Sequence, residues 1–296
     1  MNKLPTTKRA QIIGMLVEGM SMRSITRLTG VSINTVTKLL RDAGAAADAY
    51  HHAHVRGVKG RRHIQCDEIW AFVYAKERNV EIAKAAPPEA GDVYTFTALD
   101  ADSKLMVSYM VGPRDGRTAL EFMDDLRGRI EDRPQISTDG FSAYPDAVDG
   151  AFGGDVDFAQ VIKTYGRDET DVDGARRYSP PVCTSMEKEP VWGDPDMRKA
   201  NTSYVERSNL TIRMSVRRFA RLTNAFSKKL ENHCTMLSLY FLHYNFCRQH
   251  KATRVTPAME AGIESRFRDH EWIVGLIDAM APEPAPWGSR KKSNSK

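Results

Sequence analysis

What this chain of 296 residues has little of narrows the field first. It carries four cysteines, Cys66, Cys183, Cys234 and Cys247, and no two stand at the short paired spacing of a zinc site or a redox motif. Neither a disulfide framework nor a cysteine-built metal centre is expected, and the thiols read as reduced and packed. Long apolar runs are missing too, since nothing approaches the roughly 18 consecutive apolar residues of a membrane span. The opening Met1-Asn-Lys-Leu-Pro5 is polar and leads into a patterned helix, so it does not read as a secretory signal. A cytoplasmic protein without a membrane partner is the expectation.

Acid is locally scarce. Residues 207–229 hold Arg207, Arg213, Arg217, Arg218, Arg221, Lys228 and Lys229 with no Asp or Glu among them, in a chain of net charge +5. Arg61 and Arg62 precede the first β-rich run, and the chain closes on the basic stretch 289–296. Clustered cations suit a polyphosphate partner, whereas scattered ones only solvate helix faces.

What is present begins with three helical signals in residues 7–42. Ile12, Ile13, Leu16 and Val17 recur at helical spacing before Gly19; Ser21 can cap a second helix carrying Ile25 and Leu28; Gly30 breaks it; Ser32 can cap a third with Ile33, Val36, Leu39 and Leu40. This predicts a small all-α helix-turn-helix domain over residues 1–45. On its third helix Asn34, Thr35, Thr37, Lys38 and Arg41 form a polar set of the types that reach base edges and phosphates. A helical bundle that binds no DNA is the alternative. Residues 46–61, with His51, His52 and His54, read as a linker.

From residue 62 the period changes. His63–Tyr74, Val93–Leu99 and Met106–Val111 are β-rich runs and predict an antiparallel meander. A helix follows over Thr118–Ile130, a short strand over Gln135–Thr138, a helix near Tyr144 and a fifth strand over Asp157–Lys163. Three strands, helix, strand, helix, strand is the order of the ribonuclease H-like fold. The predicted class is α/β: a mixed five-stranded sheet with flanking helices over 62–262, interrupted by an aperiodic insertion loop at 166–200. Residues 263–296 read as a C-terminal helix and a disordered basic tail.

Acids inside such a frame call for explanation. Asp67 lies in the apolar strand run Gln65-Cys-Asp-Glu-Ile-Trp-Ala-Phe-Val73, where a carboxylate is costly unless paired or metal-bound. Glu68 is its rival on the opposite strand face, and parity cannot choose between them. Asp139 ends the fourth strand before Gly140, and an ordinary Asp-Gly turn is its other reading. Glu206 sits in Ser203-Tyr-Val-Glu206, which has the form of a capping box. At about 100° per residue, however, Arg213 and Arg217 fall within about 20° of Glu206, with Asn209 beside it. That stripe would suit a phosphate-bearing site.

The run Thr202–Lys228, together with Cys66-Asp-Glu-Ile-Trp70, Ser137-Thr-Asp-Gly140, Tyr244–His250 and Thr256-Pro-Ala258, closely resembles the transposases of insertion sequence family one. The resemblance spans roughly residues 60–262 and is specific in its last third; Cys66 and Cys247 depart from it. It implies a DDE transposase in which Asp67, Asp139 and Glu206 are catalytic and hold two Mg²⁺ ions, with Mn²⁺ able to substitute. The Asp–Asp interval is 72 positions and the Asp–Glu interval 67, the latter lengthened by the loop at 166–200. Double-stranded DNA, as element ends and target, would be the partner. Asn34, Thr35, Lys38, Arg41, Asn209, Arg213 and Arg217 would contact it, and a homo-oligomer would assemble on it in the bacterial nucleoid. Two rivals are a DNA-binding regulator with a non-catalytic second domain and a ribonuclease H-like nuclease that moves no element. Metal-dependent nicking separates the first, and terminal repeats flanking the gene the second.

Overall fold

The computed structural model describes residues 3–60, 62–166, 182–220 and 224–281. Arg61, Arg221, the stretch 167–181 of the expected insertion loop and the basic tail from 282 lie outside the described residues.

The meander forms as β1 (His63–Val73), β2 (Gly91–Asp100) and β3 (Met106–Gly112), each pair antiparallel. β4 (Gln135–Asp139) then joins the other side of β1 in parallel, and β5 (Asp157–Gly166) joins β4 in parallel. The crossovers are α4 (Gly116–Arg127) and α5 (Tyr144–Phe152). Asp115 caps α4 by accepting the Thr118 amide at 2.8 Å, and Ala119, Phe122, Met123 and Leu126 give the helix the apolar stripe that it buries.

The sheet has six strands in the order β3-β2-β1-β4-β5-β6, not five. The sixth, β6 (Val182–Trp192), comes from within the expected insertion loop and pairs antiparallel with β5. It escapes a periodicity reading because its residues 183–190 are exposed, so no face had to be apolar.

Helices cover both faces. α4 lies against β2 and β3 on the side of Phe96, whose ring meets Phe122 at 5.6 Å. On the other face lie α6 (Ser203–Ser215), against β1, and α7 (Leu230–Phe246), against β3. Met236 through Phe246 are all buried because α7 is sandwiched between the sheet and an N-terminal helix. Asn245 fastens it, donating to the Met106 carbonyl and accepting the Met106 amide, both at 2.9 Å.

The N-terminal helices are α1 (Thr6–Val17), α2 (Met22–Thr29) and α3 (Ile33–His54). Ser21 and Ser32 cap α2 and α3 by accepting the amides three residues on, at 3.1 and 3.2 Å, and Gly30 ends α2 in the left-handed conformation. Two expectations change here. Leu28 and Ile33 are exposed, not core. The stretch 46–61, expected as a linker, is helical as far as His54. Ala43, Ala46 and Ala47 are buried, and α3 packs on α7 and on α9 (His270–Met280). Small residues look like a weak pattern, yet they let helices approach closely; Gly44 lies so near Thr235 that a Cβ there would meet backbone at 2.4 Å. His51 is buried against the Met106 carbonyl at 3.1 Å, and burial pushes its pKa down to about 3. It is a packed neutral histidine. A short α8 (Pro257–Glu260) precedes α9, whose Asp278 pairs with Arg9 of α1. Among the described residues no helix is long and apolar enough to cross a membrane.

Candidate metal centre

β1 and β4 run side by side in parallel, with Gln65 opposite Ser137. Counting two residues on reaches Asp67 and Asp139, so both carboxylates leave the sheet at one rim and on one face. The Thr97 hydroxyl of β2 donates to the Asp67 carbonyl from the other side at 3.0 Å. Glu68 points to the opposite face by strand parity, yet its longer side chain bends round the end of β4. One oxygen from each of Asp67, Glu68 and Asp139 lies within 4.8 Å of the others.

The three acids are not treated alike. Glu68 accepts the Tyr144 hydroxyl and, at 3.0 Å, the Arg114 Nε; Arg114 also stands 3.6 Å from Asp139 and stacks over Phe141 at 4.0 Å. Burial and the Asp139 charge still push the Glu68 pKa up, against the pull of Tyr144 and Arg114. Asp139 accepts the Phe141 amide at 3.0 Å. Among the described residues Asp67 has neutral donors: the Asn209 side-chain amide at 2.7 Å and the Glu68 backbone amide at 2.9 Å. Burial first, then repulsion by Asp139 and Glu68, with a smaller part from Glu206, raises its pKa to about 7.

Glu206 comes from α6, whose buried face is Val205, Ser208, Asn209, Ile212 and Ser215. The capping box does not form. Thr202 is the N-cap residue, and the orphan amides are served from elsewhere: Ser203 by Asn201 at 3.3 Å, Tyr204 and Val205 by the Gln65 carbonyl oxygen at 2.8 and 3.2 Å. The Glu206 carboxylate instead accepts the Thr202 hydroxyl at 2.6 Å and pairs with Lys163 of β5. Its charge is felt at Asp67, but it is outside the tight group of three.

Two residues expected to contact DNA lie in other settings. Asn209 is buried and donates its side-chain amide to Asp67. Arg217 does not share the α6 stripe, because α6 ends at Ser215, Val216 is extended and Arg217 opens a separate 3₁₀ turn, Arg217–Phe219. Arg213 remains on α6 at the edge of the buried face, half-buried, with the Phe219 carbonyl at 3.5 Å. On α3, exposed Asn34, Lys38 and Arg41 and half-buried Thr35 line an open concavity of about 610 Å³, with Asp42 and Glu231 on its wall. Lys38 pairs with Asp42 there.

Sequence reading missed Gln65, Arg114, Tyr144 and Lys163. Gln65 and Lys163 carried a signal, since each shares the strand parity of the acid beside it; a loop arginine and a helix tyrosine carry none.

The donor set fits divalent metal. Hard ions take carboxylate oxygens, and here three converge while one of them, Asp67, has no cationic partner among the described residues. Asn209 Oδ1, on the side chain whose Nδ2 donates to Asp67, is buried without a hydrogen-bond partner among the described residues.

No protein-family model matches this chain, and no curated protein matches it in sequence. Among solved structures it is similar to a piggyBac transposase synaptic complex with hairpin DNA, at 9% identity and a TM-score of 0.41, covering 93% of this chain and 70% of that one. It is also similar to the Mos1 transposase paired-end complex with the left transposon end, at 14% identity and a TM-score of 0.20, covering 50% of this chain and 58% of that one. Likenesses this distant carry no argument about chemistry, which rests on the site itself.

Proposed function

We propose that this chain is a DDE transposase that cleaves DNA at the ends of an insertion sequence and joins them to a target. The observation that carries the reading is the convergence of Asp67 and Asp139, from neighbouring parallel strands, at a rim faced by Glu206. The strand order β3-β2-β1-β4-β5 and its polarity support a ribonuclease H-like core, which brings those strand ends together. Asp67, Asp139 and Glu206 would hold two Mg²⁺ ions. Such ions, when bound, lower the pKa of an attacking hydroxyl and stabilise charge on the leaving oxygen.

The chain's own groups do the positioning. Asn209 fixes the Asp67 carboxylate, Gln65 fixes the first turn of α6 and so the height of Glu206, and Arg114 with Tyr144 fixes the Glu68 carboxylate. We read Glu68 as a support, because its side chain is 3% exposed and held by both Arg114 and Tyr144, whereas Glu206 is 42% exposed. Water would hydrolyse a phosphodiester to leave a 3′-hydroxyl, which then displaces a target 3′-oxygen. Arg213 would steady the backbone near the scissile phosphate. α2 and α3 would form the helix-turn-helix that reads element ends with Asn34, Thr35, Lys38 and Arg41, and copies of the chain would pair the ends.

The test is end cleavage and strand transfer on element-end DNA with Mg²⁺, using wild type, Asp67→Asn, Asp139→Asn and Glu206→Gln. Each variant should lose at least about a thousandfold in rate while still binding DNA. Full activity in any one removes that residue from the site, and nicking in the presence of EDTA removes the metals.

A further inference from the structure

The pairing of Glu206 with Lys163 sets it apart from the other acids. Gln65 opposite Ser137, and Asp139 opposite Val161, place Asp67, Asp139 and Val161 on one face of the sheet; Lys163, two residues on, shares it. That is the face covered by α6. Lys163 therefore stands in the same row as the two aspartates, beyond Asp139, and takes the carboxylate that α6 brings to the rim. Its side chain is 16% exposed, against 42% for Glu206. A lysine so placed needs an anion, and among the described residues Glu206 supplies it.

We propose that Lys163 is a positioning residue that holds Glu206 in reserve and exchanges it for DNA. With divalent metal held by Asp67 and Asp139, Glu206 would leave Lys163 to join those ligands, and the freed ammonium would take a DNA phosphate. The exchange keeps both charges paired before and after, so neither is left buried and alone. The Thr202 hydroxyl, 2.6 Å from the same Glu206 oxygen, steadies the waiting position. Cleavage competence is thereby coupled to the simultaneous presence of metal and DNA. This inference rests on the transposase reading of the site.

Calorimetric titration of the full chain with Mn²⁺ alone tests the first half. Lys163→Met should bind Mn²⁺ about fivefold more tightly than wild type, since no ion pair has to be broken. That gain should vanish in a Glu206→Gln background and be absent in Lys163→Arg. The second half is read from binding of element-end DNA with Ca²⁺ present. There Lys163→Met should bind more weakly and show a salt slope smaller by about one, a difference that disappears in EDTA. A purely structural role would weaken metal and DNA binding together. Unchanged or weaker Mn²⁺ binding by Lys163→Met, or a gain that persists beside Glu206→Gln, overturns the proposal. If Lys163→Met melts early, Lys163→Gln makes the same comparison with a polar uncharged end. Asp67→Asn separates the two readings, because undiminished Mn²⁺ binding by that variant would defeat the metal centre itself.

Discussion

Asp67 offers the sharpest check on the electrostatics. Its pKa stands near 7 in the folded chain against an ordinary 3.8, through burial and the neighbouring acids. A raised pKa means that the folded state holds a proton which the unfolded state releases. The stabilisation is therefore complete below pH 3.8 and is lost as pH rises towards 7 and beyond. At about 1.36 kcal/mol for each pH unit between the two values, the loss approaches roughly 4 kcal/mol by pH 8.5. Asp67→Asn cannot ionise, so in EDTA its stability relative to wild type should climb by about that amount between pH 4 and pH 8.5. For a chain of this size each kcal/mol moves Tm by about 2 °C, so the difference in Tm should swing by up to about 8 °C. The variant also loses one acceptor, for the Asn209 or the Glu68 amide, a cost of about 1 kcal/mol at every pH that leaves the slope intact. Differential scanning calorimetry across that range, with and without Mg²⁺, reads it. Mg²⁺ should restore the wild type at high pH and leave the variant unmoved. A difference in Tm that stays flat from pH 4 to pH 8.5 refutes the buried, repelled carboxylate.

Other consequences follow from single contacts. Gln65→Ala strips the cap from α6, leaves two amides of its first turn unserved, and should cost about 2–3 kcal/mol in urea denaturation; Gln65→Glu, which keeps an acceptor oxygen for those two amides, should keep that cap. Arg114→Ala leaves Glu68, 3% exposed, without its cation, and should destabilise by about 1–3 kcal/mol at pH 8, most of it regained when Glu68→Gln is added. If α3 reads DNA, Arg41→Ala should weaken binding of every sequence and reduce the salt slope by about one, whereas Asn34→Ala should blur preference at a single base pair; filter binding over a salt series distinguishes them.

Much of this molecule is legible before folding because its cues are local. Alternating β-branched and aromatic residues announce β1, β2 and β3, the spacing of Ala119, Phe122, Met123 and Leu126 announces α4, and Ser21 and Ser32 mark two helix starts where their hydroxyls meet amides three residues on. Asp67 stands out for the same reason, as an acid inside an apolar strand run, whereas Asp139 before Gly140 reads equally as an ordinary turn. Other readings failed wherever a non-local partner decided the outcome. Ala43, Ala46 and Ala47 look like slack until α7 packs on them, and β6 has no period because only β5 holds it. The capping form of Ser203-Tyr-Val-Glu206 is overridden by Gln65, a residue 138 positions away from Ser203 in the chain but adjacent in space.

The sequence by itself determined which residues are acidic, which runs alternate and where helices begin, since those follow from side-chain chemistry and period. Only the tertiary structure decided who pairs with whom: that Glu68 answers to Arg114, that Glu206 answers to Lys163, and that Asp67 accepts from the Asn209 amide. The reason is physical. Carboxylates act at ångström range, and the chain sets that range through the register of β1, β4 and β5 and the placement of α6, neither of which any single segment specifies.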